Sequence, residues 1–114
     1  MKLHFKLLLL LVVPFFGTAQ IYNTVKGKIV NSETLGVMES VNIVNLNQVI
    51  GTTTNTGGEF EIRAKANDTL HLSYLGYKSI KVKVSNDWIK YGTSTTIELT
   101  ELALALEEVN VNKL

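Results

Sequence analysis

Asn55-Thr56-Gly57-Gly58-Glu59-Phe60-Glu61-Ile62-Arg63-Ala64-Lys65 decides the fold. Its first four residues are the chain's clearest tight-turn signal, with glycines able to take a positive φ, and predict a β-hairpin. The next seven alternate strictly. Phe60, Ile62 and Ala64 fall on one face and Glu59, Glu61, Arg63 and Lys65 on the other, the period of a half-buried strand.

The same period extends in both directions. Upstream, Val25 and Ile29 point inward between Lys26 and Lys28, and Asn31 to Gly36 reads as a turn. Val41 to Leu46 is a strand of imperfect phase, implying burial on both faces or a bulge. Gln48 to Thr54, rich in β-branched residues, is a third strand. Downstream, Asp68 belongs to a turn with Asn67, and Leu70, Leu72 and Tyr74 share a core face opposite His71 and Ser73. Gly76 breaks that run. Ile80, Val82 and Val84 face inward opposite Lys81 and Lys83, and Thr95 to Thr100 closes the set with Ile97 and Leu99 inward. Ser85 to Gly92 reads as a connection holding Trp88. About seven short strands with regular turn signals predict an all-β, antiparallel β-sandwich. The turn positions expected to matter are Asn55, Gly57, Gly58, Asp68 and Gly76.

The N-terminus reads differently. Lys2, His4 and Lys6 precede a short apolar run, Leu7 to Phe16, with Pro14 near its end and Gly17-Thr18-Ala19 after it. That is the plan of a helical, cleavable signal peptide over residues 1–19, with cleavage before Gln20. The run is about half the roughly 20 residues a spanning helix needs, so no transmembrane segment is expected after cleavage. The expected division is a signal peptide at 1–19, a sandwich domain at 20–100, and a tail or final strand at 101–114. Without Lys2 and Lys6, nine basic residues face ten acidic ones, a formal charge of −1. Such a near-neutral chain offers no electrostatic case for nucleic acid. The chain has no cysteine, which excludes lipid anchoring and disulfides.

Four stretches resemble the carboxypeptidase-like regulatory domain family, also called the carboxypeptidase D regulatory-like domain. Val25-Lys26-Gly27-Lys28-Ile29-Val30 is similar to its opening strand, with a central glycine, and Val41-Asn42-Ile43-Val44 to its second. Gly51 to Phe60 resembles its central G-T-x-T-[DN]-x-x-G-x-F pattern. Asp68 to Tyr77 resembles D-x-L-x-x-S-[YF]-x-G-[YF]. The resemblance implies a seven-stranded, transthyretin-like or Ig-like sandwich with no zinc or catalytic residues of its own. In envelope proteins such a domain follows the signal peptide and precedes the plug and barrel of TonB-dependent outer-membrane receptors, including those for glycan uptake. Leu106-Glu107-Glu108-Val109-Asn110-Val111 is similar to the segment that follows the domain there.

No catalytic, cofactor-binding or metal-binding residues are expected. His71 is the one histidine outside the signal run, and alternation places it outward. Ser73, His71 and Asp68 lack a nucleophile elbow and an oxyanion loop. Asn55, Glu59 and Asp68 lack the spacing of a calcium loop, and turn chemistry accounts for the first and last. Lys78, Lys81 and Lys83 read as a solvated face. Trp88, Tyr91 and Tyr77 are the candidate contacts for a ligand or partner, with Trp88 alternatively capping an open end of the core. These features imply a non-catalytic accessory module that binds another protein. It would be exported to the periplasm or associated with the outer membrane, either standing alone or as the N-terminal extension of a truncated TonB-dependent receptor. The alternative is a carbohydrate-binding module using Trp88 and Tyr91 on a glycan.

Overall fold

A computed structural model describes residues 23–104. The expected signal peptide, the junction before Gln20 and the tail beyond Leu104 lie outside the described residues. Seven strands and one short helix follow in order: β1 (Asn23–Asn31), β2 (Asn42–Asn45), β3 (Ile50–Thr53), β4 (Glu59–Ala64), β5 (Thr69–Ser73), β6 (Ile80–Lys83), α1 (Asn86–Tyr91) and β7 (Thr95–Leu99). They form two sheets, β4-β1-β7 and β3-β2-β5-β6. The sheets pack face to face around one core. Val25, Ile29, Phe60, Ile62, Ala64, Ile97 and Leu99 meet Val41, Ile43, Leu70 and Leu72, with Met38, Val84 and Trp88 filling the margins. The chain is thus a β-sandwich, as the alternation predicts. No helix among the described residues is long and apolar enough to cross a membrane.

Five local expectations are corrected. First, β7 pairs in parallel with β1, with Ile97 opposite Ile29, so the pairing is not antiparallel throughout. Second, Asn55 to Gly58 does not close a hairpin. β3 and β4 belong to different sheets, and the turn carries the chain across the sandwich. Third, β2 keeps a perfect phase without a bulge. Val41, Ile43 and Asn45 all point inward and are buried, while Leu46 is exposed, so an inward asparagine hides the alternation.

Fourth, the connection after Val84 contains α1. Ser85 caps it by accepting from the Trp88 N–H at 3.1 Å, and Gly92 ends it at φ 61°. Six residues are too few to display a helical apolar period. Fifth, Tyr74 is not a core residue. Strand β5 ends at Ser73, and Tyr74 is 37% exposed in the loop that follows.

Two glycines fix how closely β4 and the turn before it approach β1. A Cβ on Gly27 would run into the Phe60 ring, which lies across β1 from its partner position on β4. Gly58, at φ +73°, sits so close to β1 that a Cβ would lie 2.8 Å from the Ile29 carbonyl oxygen. Its own carbonyl accepts from the Ile29 N–H at 2.8 Å. Both the dihedral and the space exclude a side chain there.

Candidate functional site

The structure sets Tyr77 apart from Trp88 and Tyr91, which share α1. Trp88 is 7% exposed, and its indole N–H donates to the Lys26 carbonyl at 2.8 Å. It seals the core beside β1, so it offers no face on which a sugar could stack. Tyr91 is 66% exposed, with the Lys90 ammonium 5.7 Å from its ring centroid. Tyr77 is half-buried elsewhere. Its hydroxyl accepts from Asn31 Nδ2 at 3.0 Å and donates to Glu101 Oε1 at 3.5 Å. Its ring meets Tyr74 edge-on at 5.5 Å. Lys26 and Asn31 are five residues apart on β1, so the Trp88 and Tyr77 contacts are roughly 17 Å apart.

The expected turn residues hold structure. Asn55 Oδ1 accepts from the N–H groups of Gly57 (3.0 Å) and Glu59 (2.9 Å), while the Asn55 N–H donates to the Glu59 carbonyl. Asp68 is the hub of a network at the opposite end of the sandwich. Its Oδ2 accepts from Asn45 Nδ2 (2.9 Å), Gln48 Nε2 (2.8 Å) and the Lys65 N–H (2.9 Å). Burial opposes ionisation of this carboxyl. The donors from Asn45, Lys65 and Gln48, with the Lys65 charge, outweigh that effect and hold it below the usual carboxylate value. Gly76 takes φ +85° in the β5–β6 loop.

Sequence reading missed two hubs. Asn45 is fully buried and donates to the Arg63 carbonyl as well as to Asp68, while its Oδ1 accepts from the N–H groups of Asn47 and Gln48. Thr54 Oγ1 donates to the Met38 carbonyl at 2.6 Å and accepts from the Val41 N–H at 2.9 Å. An inward polar residue in an otherwise apolar phase was the available signal for Asn45.

This arrangement brings no catalytic set together. His71 is half-buried on the outer face of its sheet, opposite Val44 and Lys81 in the strand register. Asp68 is committed to its donors. Asn55 and Glu59 share a turn at the other end from Asp68. Among the described residues no three His, Cys, Asp or Glu side chains are grouped to hold a metal ion. Every buried side-chain polar atom there has a hydrogen-bond partner.

What remains accessible is surface. Leu35, Val37, Tyr74, Leu75 and Leu102 are exposed at the end where β1 and β7 finish, Leu75 at 96%. There the Lys78 N–H donates to the Thr100 carbonyl and the Leu102 N–H to Gly76. Between β3 and β4 the two sheets leave an open seam. It holds one cleft of about 360 Å³ beside Thr52, Thr53 and Asn55 and another of about 270 Å³ between Gln48 and Ile50 on one side and Arg63 and Lys65 on the other.

The chain matches the CarboxypepD_reg-like domain over residues 25–111, and it belongs to that family. No curated protein matches it. Among solved structures, the chain is similar to the group B streptococcus pilus 2b backbone protein, with 16% identity and a TM-score of 0.45. The similarity covers 73% of this chain and 43% of that one, so the chain spans less than half of that protein's length.

Proposed function

We propose that this member of the CarboxypepD_reg-like domain family is a non-catalytic module, exported to the cell envelope, that acts by contacting another protein. One observation carries the reading. Thr54, Asn55, Asp68 and Tyr77, four polar side chains of its signature stretches, are engaged in holding turns and tying strands together. A catalytic group must reach a substrate with its donor or acceptor free, and these do not. The signal-like residues 1–19 support export. The exposed apolar end and the open seam supply contact surface.

The partner class proposed is an envelope protein, either an outer-membrane receptor barrel or a periplasmic component. The likeness of Leu106 to Val111 to the segment preceding receptor plugs favours the former. The glycan alternative rested on Trp88 and Tyr91; with Trp88 buried, Tyr91 alone of the pair offers an exposed ring. Crosslinking of the full chain in intact cells, followed by fractionation, tests the reading. A specific crosslinked protein in the envelope fraction is expected. A chain recovered only as a partnerless monomer, or only in the cytoplasm, contradicts it.

A further inference from the structure

The two sheets have four edges, and three are closed or guarded. On β4 the outward groups are taken toward both ends, and the exposed Glu61 carboxylate guards the middle. Asn55 bonds the Glu59 N–H and carbonyl, Asn45 Nδ2 bonds the Arg63 carbonyl, and Asp68 bonds the Lys65 N–H. On β6, exposed Lys81 and Lys83 discourage pairing. On β7, Glu98 is exposed and the Thr100 carbonyl beyond it accepts from Lys78. The fourth edge, β3, reads Ile50-Gly51-Thr52-Thr53, with neither charge nor proline.

The direction of its backbone groups follows from its neighbours. The Leu46 N–H just past β2 donates to the Thr69 carbonyl of β5, while the Thr54 N–H donates to the Val41 carbonyl. Antiparallel bonding alternates by residue. Ile50 and Thr52 therefore bond β2 in the observed register, opposite Asn45 and Ile43. Gly51 and Thr53 present their N–H and carbonyl groups outward, toward the seam.

We infer that this seam is a strand-addition site, where an extended segment of a partner polypeptide pairs with β3 through Gly51 and Thr53. This deepens the protein-contact reading and rests on it. Main-chain bonds would supply affinity and the seam walls selectivity. The larger cleft is lined by Thr52, Thr53 and Asn55 on one side and by Glu59 and Glu61 on the other, with Lys26 as the single cation among its lining residues. Two carboxylates against one ammonium favour a basic side chain. The occupant is thus an uncharged, β-branched segment with one lysine or arginine lying over Glu59 and Glu61. A second copy pairing edge to edge fits less well. A four-residue strand covers far less than the roughly 800 Å² per partner of a stable interface.

The test uses the full chain and a twelve-residue peptide of alternating Val and Thr with one central Lys, beside a matched peptide carrying Glu. Amide exchange read by NMR should slow at least tenfold at Gly51 and Thr53 when the Lys peptide binds. The Glu peptide should bind at least tenfold more weakly, and Glu61→Lys should reverse that preference. Thr53→Pro, which deletes an outward N–H, should weaken binding at least tenfold. Gly51→Lys guards the same edge and replaces it should the proline variant fail to fold. The inference is overturned by no protection, by protection at Lys81 and Lys83 instead, or by self-association of the chain through β3 in sedimentation. Binding mapped to Tyr74–Tyr77 overturns it too, while leaving the protein-contact reading intact.

Discussion

Gly27 and Phe60 belong to separate stretches of sequence, yet each explains the other. The missing Cβ makes room for the ring where β1 and β4 pair. Gly27→Ala should therefore destabilise the fold by about 1–3 kcal/mol, and adding Phe60→Leu should recover part of that loss; chemical denaturation of the single and double variants checks both. Asp68 is the other decisive residue. Its carboxyl is held below its ordinary value in the fold, so the unfolded chain takes up the proton first as pH falls. The stability it contributes is fully present above the ordinary carboxylate value of about 3.9 and is lost as pH falls below it toward the lower folded value. Asp68→Asn should cost about 1–3 kcal/mol at pH 6. That gap should shrink below pH ~4, as read from thermal unfolding of both proteins across pH. The turn role of Asp68 was legible from its neighbours in the chain. Its bond to Asn45, 23 residues away, was not, because the alternation that turns Asn45 inward does not say which group it meets.

Elements were legible wherever alternation ran through apolar residues. β4 and β7 carry their buried positions where the period places them, as does β1 up to Ile29, after which Val30 and Asn31 are buried as well. Reading failed where an element's identity depends on its neighbours. Turn chemistry at Asn55 to Gly58 specifies a bend but not which sheet receives the next strand. The parallel partner of β7 likewise has no local signature. Tyr74 continued the period of Leu70 and Leu72, but the strand stops before it. Helix α1 was marked only by its ends, Ser85 and Gly92. Ser85→Ala should cost about 1 kcal/mol through the lost cap. It should also loosen Trp88, the chain's sole tryptophan, so that its emission shifts to the red. Trp88→Phe keeps an aromatic in the core but orphans the Lys26 carbonyl. Its expected cost is about 1–3 kcal/mol by denaturant titration. Titrating glycans onto the wild-type chain should leave the emission of this buried indole unchanged.

Across the whole molecule, polar side chains close what short strands leave open. Asn45 and Asp68 join the sheets at one end, and Asn31, Tyr77 and Glu101 tie loop to strand end at the other. The interior and its hydrogen bonds are thereby committed to the fold, and the surface is left to carry function. Of the aromatic candidates, Trp88 serves the core and Tyr77 a distant strand end, while Tyr91 stays exposed; their chemistry was legible and these places were not. The seam between β3 and β4 was invisible for the opposite reason, since it exists only once the chain has crossed between sheets. The protein-contact proposal sets this module apart from an enzyme. Its most direct test is photocrosslinking of the full chain in its native cell from positions 53 and 75, with position 28 on the outer face of β1 as control. A discrete envelope protein crosslinked from 53 or 75 but not from 28 is predicted. An exported chain that crosslinks to nothing from any of the three positions would contradict it.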